Sequence, residues 1–200
     1  MTDPPSPSVY PTAVVVAVLS GVTVLLDIGP FIWHFKNRNL AAGSLVFWIM
    51  ILNLTNFINA IVWPNDNVST WWLGYGLCDI EVKLFVGTWV ALTGALACIM
   101  RNLARVMDTA NTVLVPSKAQ QLRQRVIEIA LIFAAPVILM FFHYIVQSNR
   151  YYLWAIAGCN PGFDNSWVSI VLIFIWPPIF SLIDTYYASE YYHSKMFIPV

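Results

Sequence analysis

The chain has 200 residues, of which 59% are apolar or aromatic and 10% charged, and its mean hydropathy is +0.70. Soluble globular proteins carry about 25% charged residues, so a soluble domain is excluded, and the apolar excess excludes disorder. The 10 Lys and Arg balance 10 Asp and Glu, which excludes a nucleic-acid partner, because phosphate neutralisation needs a basic surplus.

The opening MTDPPSPSVYP has no basic residue and several prolines. It is unlike a secretory signal, which starts with a positive patch, so the first apolar run reads as a permanent anchor. A membrane-crossing helix needs about 20 predominantly apolar residues. The chain supplies such runs at 12–35, 41–63, 77–103, 126–147 and 167–187. These runs are apolar all round, unlike the striped helices of soluble proteins. They lack the alternation of spanning strands. The fold class expected is all-α, a single multi-pass transmembrane helix bundle of five spans.

In the first run the only charge is Asp27, an acid that costs about 2.5–3.5 kcal/mol at mid-span on insertion scales. It lies about 12 Å from the inner end at 1.5 Å per residue and should face the bundle interior, as a buried structural contact or as a proton or ion site. The second run carries Asn53, Asn56 and Asn59, spaced by three and so forming a slanted stripe. Asparagine in hydrocarbon needs partners inside the bundle, and the stripe either glues helices together or lines a cavity. Asn53-Leu-Thr55 is a glycosylation sequon lying in the membrane and is discarded. Asn67-Val-Ser69 falls in the following loop and can be an acceptor.

The third run begins with Cys78, Asp79, Glu81 and Lys83 and is uncharged from 84 to 100. Asp79 and Lys83 are four apart and can pair on one helix face, and the acids sit at the positive end of the helix dipole. The group is either a self-neutralised helix start or a polar rim around a ligand entrance. Cys98, deep in the run, reads as a small packing residue. Pro136 in the fourth run and Pro177-Pro178 in the fifth lack backbone donors and should kink their helices.

Basic residues set the orientation. Lys36, Arg38, Arg101, Arg105, Lys118, Arg123, Arg125 and Lys195 fall on one side of five spans, and only Lys83 and Arg150 on the other. The N-terminus is therefore expected outside and the C-terminus in the cytoplasm. Trp63, Trp71, Trp72, Tyr75, Tyr151, Tyr152, Trp154 and Trp167 gather at the outer boundary, where amphipathic rings settle. Cys78 and Cys159 share that oxidising side. They are either free thiols or a disulfide, which would pin the outer loop across the bundle mouth and add roughly 4 kcal/mol.

Catalytic chemistry finds no footing. His34, His143 and His193 lie on different segments without metal-ligand spacing. The chain has no HExxH, no GxSxG and no phosphate-binding glycine loop. No catalytic residue, no metal site and no cofactor is expected, and the chain does not read as an enzyme.

Several stretches together resemble one family. They are Pro30-Phe-Ile-Trp33-His34-Phe-Lys-Asn-Arg38-Asn39, the run from Trp48 through Asn53, Asn56 and Asn59 to Trp63-Pro64, and Leu77-Cys78-Asp79-Ile80-Glu81-Val-Lys83-Leu84 continuing to Ala97-Cys98-Ile-Met-Arg101 and Arg105. Gly158-Cys159, Phe163-Asp-Asn-Ser166-Trp167 and Ile175-Trp176-Pro177-Pro178-Ile-Phe-Ser181 complete the set. In order and placement they resemble the fungal a-factor-type mating pheromone receptors, class D G-protein-coupled receptors. The resemblance implies a plasma-membrane receptor of seven spans with an outer N-terminus, a prenylated peptide pheromone as ligand and a heterotrimeric G protein as partner. Arg101 and Arg105 become G-protein-facing candidates, although positive-inside topology accounts for them equally. The family continues into two further helices where this chain stops after its fifth run. A form without helices six and seven is expected not to signal alone, or to act by pairing with a complete receptor. Two other readings stay open: a small transporter or channel built on Asp27 and the asparagine stripe, and a membrane scaffold without a ligand.

Overall fold

A computed structural model describes residues 9–107 and 117–196. The proline-rich opening (1–8), the middle of the basic connection (108–116) and residues 197–200 lie outside the described residues, as do the side chains of His193 and Lys195. In chain order the elements are α1 (Pro11–Lys36), α2 (Leu40–Val62), α3 (Leu77–Met107), α4 (Lys118–Ile129), α5 (Ala135–Val146), β1 (Tyr152–Trp154), β2 (Gly158–Asn160), α6 (Trp167–Ser169) and α7 (Trp176–Met196). A single 3₁₀ turn, Val68–Thr70, precedes α3.

Among the described residues, Pro11–Lys36, Leu40–Val62, Leu77–Arg105 and Lys118–Val146 are each long and apolar enough to cross a membrane. Trp167–Phe174 and Trp176–Ser189 make a fifth crossing if taken as one span, bent by 41°. The chain is a multi-pass transmembrane helix bundle.

Helix ends follow local chemistry. Pro11 opens α1, where its missing donor costs nothing. The Asn39 side chain accepts from Ala42 N and caps α2. Ser117 and Gln120 form a capping box that starts α4. That box explains why the fourth helix begins at Lys118, well before the lipid-soluble run at 126: the helix is set by its cap, and hydropathy registers only the part in lipid.

Both expected proline sites coincide with widened turns. α4 and α5 join through the π turn Ala130–Ala134, closed by Ala135 N–H onto Ala130 O, just ahead of Pro136. α6 and α7 join through Ile170–Phe174, closed by Ile175 N donating to Ile170 O at 2.9 Å, just ahead of Pro177. A proline ring clashes with the carbonyl four residues back, and a π turn moves that carbonyl away. The second site is bent sharply; the first stays within one continuous span. Pro30 also lies inside α1, which continues through it as α-helix without a widened turn.

α3 is the centre of the bundle and α1 its edge: 56% of the α3 span window is buried against 6% for α1. Leu19, Leu25, Leu26 and Phe35 of α1 are exposed. Val82, Val86, Val90, Ala91, Ala95 and Cys98 of α3 are buried, so Cys98 is the packing residue its position suggests. Small residues bring the helices close. A Cβ at Gly94 would lie 3.0 Å from Leu131 O in the π turn, and a carbonyl held in a helix cannot yield. Gly94→Leu is therefore expected to destabilise the bundle by about 1–3 kcal/mol, read as a lower melting temperature in detergent.

One element departs from an all-helical chain. β1 and β2 pair antiparallel, with Leu153 opposite Cys159. Strands of three residues leave no periodic pattern in a sequence.

Candidate functional site

The hairpin closes one end of the bundle, and local chemistry holds it there. Trp63, at the end of α2, is fully buried. Its Nε1 donates to Trp72 O at 3.0 Å, its ring stacks on Trp72, and Ile156 N donates to its carbonyl at 2.8 Å. Cys78 and Cys159 form a disulfide with Cα atoms 5.2 Å apart, so β2 is tied to the first turn of α3. Trp63, Cys78, Val82 and Cys159 make one buried cluster. Tyr10 joins the same end: its N–H donates to Pro64 O and its hydroxyl to Asp66 Oδ1 at 2.5 Å. The Asp66 carboxylate holds the Tyr10 phenol above its ordinary pKa, since ionisation would break that bond.

Beneath the hairpin the asparagine stripe divides. Asn59 is buried and its Nδ2 donates to Ala157 O at 3.1 Å. Asn53 bonds back to Ile49 O of its own helix at 2.9 Å, and Asn56 is half-buried. Glu81 is also buried, beside Asn59, and among the described residues its carboxyl oxygens have no other partner. Asp27 is half-buried with Oδ2 shielded and unpartnered among the described residues.

The charged group at the start of α3 is arranged differently from its local spacing. Asp79 takes a bidentate contact from Arg150, Nε to Oδ1 at 2.7 Å and Nη2 to Oδ2 at 2.6 Å. The guanidinium fork matches a carboxylate as an ammonium cannot, and Asp79 in turn raises the Arg150 pKa further. Arg150 is exposed and Asp79 half-buried at the bundle end, so the pair is still partly screened by solvent and salt. Asp79→Asn and Arg150→Gln are each expected to lower the melting temperature slightly at low ionic strength and not at high salt.

Lys83 turns instead to α5. Its Nζ lies 2.7 Å from His143 Nδ1, donates to Gln147 Oε1 at 2.9 Å, and sits 3.5 Å from the centroid of the Tyr144 ring. An ammonium only donates, so Nδ1 accepts and the neutral ring carries its proton on Nε2. His143 meets Phe163 edge-on at 5.1 Å, and Phe163 contacts Trp89 at 5.9 Å and Phe174 at 4.9 Å. A cation bound to His143, Gln147 and the face of Tyr144 thus stands one side chain, His143, away from an aromatic cluster drawn from α3, the loop after β2 and the turn before α7. His143, Gln147, Phe163 and Trp89 were not singled out as site residues by sequence reasoning. The available signal is His143 itself, deep in a fourth run whose only charge is Glu128 near its start.

At the opposite end, Asn102 Nδ2 donates to Glu128 Oε1 at 2.8 Å. Arg105 is exposed and within electrostatic reach of Arg101, Tyr187, Glu128 and Arg123. Arg101 is half-buried with Nη1 unpartnered among the described residues.

Fold and site together define an integral membrane helix bundle, clamped by a disulfide at one end and basic at the other. Residues 15–196 match the family model described as pheromone A receptor, and the chain belongs to that family. It is 31% identical over 182 residues to the pheromone a factor receptor of Saccharomyces cerevisiae, covering 90% of this chain and 37% of that one. It is 31% identical to the pheromone B beta 1 receptor of Schizophyllum commune, covering 90% and 32%. It is 23% identical to the pheromone M-factor receptor of Schizosaccharomyces pombe, covering 84% and 44%. The chain thus spans between 32% and 44% of the length of these curated relatives. No solved structure matches it significantly.

Proposed function

We propose that these residues form the first five spans of a seven-span mating pheromone receptor of the plasma membrane. The family match across residues 15–196 carries this reading. The N-terminus and the hairpin end face outward and the basic end faces the cytoplasm, in keeping with the distribution of Lys and Arg. The ligand is a prenylated peptide. Its apolar chain lies along Trp89, Phe163 and Phe174, and its C-terminal carbonyl accepts from Lys83, which is joined to that cluster through His143. Asp79, Glu81 and the disulfide shape the entrance. Arg101 and Arg105 face a heterotrimeric G protein at the other end.

The test is binding of a fluorescent farnesylated peptide to the chain in nanodiscs. Farnesylated peptide is expected to bind in preference to the unprenylated one. Lys83→Ala is expected to weaken binding about tenfold, the scale of one charge-assisted hydrogen bond. Equal binding of both peptides, or an unaffected Lys83→Ala variant, overturns the ligand assignment. Substrate flux through vesicles holding the chain would favour a transporter.

A further inference from the structure

A second site lies at the opposite end of the bundle, away from the hairpin. A cavity of about 540 Å³ opens between the end of α1, the start of α2 and the α4–α5 span. Phe31, Phe35, Phe47 and Phe133 form its apolar lining, and Arg38 and Arg125, both exposed, line it as well. Gly43 and Ser44 line it from α2, where that helix comes close to α1: a Cβ on Gly43 would already touch His34 Cβ at 3.6 Å. His34 lines the same space, and its shielded Nδ1 has no partner among the described residues.

The contents of this cavity follow from its chemistry. Two guanidinium groups, one from the α1–α2 turn and one from α4, select an anion, and Arg prefers phosphate for its bidentate fit. They sit where α1 ends and where the fourth span enters the lipid-soluble run, which is headgroup depth. Behind them the wall is phenylalanine and open to lipid, with Phe35 72% and Phe133 40% exposed. An occupant must therefore be anionic at the bilayer boundary and hydrocarbon below it. Basic pockets between spans on the cytoplasmic side bind anionic lipid headgroups for this reason.

We propose that the α1–α2–α4 groove is a binding site for one anionic glycerophospholipid of the inner leaflet. Its phosphate lies between Arg38 and Arg125, its acyl chain lies along the four phenylalanines, and His34 is within reach of its ester oxygens. The assignment to the inner leaflet rests on the orientation proposed above. Headgroup selectivity, measured in symmetric bilayers, depends neither on that orientation nor on the pheromone.

The test is native mass spectrometry of the chain released from symmetric nanodiscs of equal phosphatidylserine and phosphatidylcholine with matched acyl chains. The chain is expected to retain one phosphatidylserine with roughly tenfold preference or more, the scale of two Arg contacts at a membrane surface. Arg38→Gln/Arg125→Gln is expected to abolish the preference. Arg123→Gln, a neighbouring basic residue outside the cavity, is expected to keep it. Equal retention of both lipids by the unmodified chain overturns the proposal, and so does an equal loss in the Arg123→Gln control, which would mean diffuse attraction. Full competition by soluble glycerophosphoserine would reduce the site to one for free phosphate esters. Release as a lipid-free dimer would assign the groove to a second copy.

Discussion

Replacing Cys78 and Cys159 together with Ser is expected to lower stability by between about 2 and 4.5 kcal/mol. The upper figure is the chain-entropy value for a bridge spanning 81 residues. The effect should fall short of it, because the spans on either side stay confined in the bilayer when the hairpin is released. Ile156 N still bonds Trp63 O, and the Tyr151 hydroxyl still donates to Leu73 O at 2.8 Å, so the loop is loosened and not lost. The melting temperature of purified protein, with and without reductant, measures this. An unmodified chain insensitive to reductant, or a double variant that melts with it, would show that the bridge bears no load. Replacing both cysteines avoids leaving one thiol free to pair wrongly.

The second large effect is at Gly158. Its φ is +66°, a region that costs a side chain about 1–2 kcal/mol, and a Cβ there would fall within the Asn59 amide. Gly158→Val should therefore strain the backbone, displace Asn59 and lose its bond to Ala157 O, for about 3 kcal/mol in all. Limited proteolysis should find the 152–160 hairpin newly cleavable. Adding Asn59→Ala relieves the collision but not the strain, so the pair is expected to recover part of the loss. A Gly158→Val chain with native melting and protection would contradict this account of the hairpin. The neighbouring disulfide gives a second readout, since a displaced β2 carries Cys159 away from Cys78.

These two positions show what a linear reading could and could not provide. Cysteines on the same side of the membrane can be inferred from topology, which makes a bridge possible, and the structure shows that it forms. The glycine requirement at 158 cannot, because it arises from a strand too short to leave a pattern and from an amide 99 positions earlier, on another helix. The same contrast appears at the start of α3. Spacing of four favours Asp79 with Lys83, and on an isolated helix that pair would form. In the bundle Arg150 reaches Asp79 across 71 positions and His143 reaches Lys83 across 60. Among the described residues the local Asp79–Lys83 pair does not form a salt bridge.

Span location and bundle class are legible in residue order, because partition into lipid is a sum over side chains along one stretch and needs no knowledge of neighbours. Hydropathy located each crossing to within a few residues and missed chiefly the polar start of α4, which lies outside the apolar run. The surroundings of the buried polar groups were settled by assembly: Asn59 and Glu81 beneath the hairpin, His143 between Lys83 and Phe163. Such pairings depend on which helix faces meet and how closely small residues let them approach, and no property of a single segment encodes that.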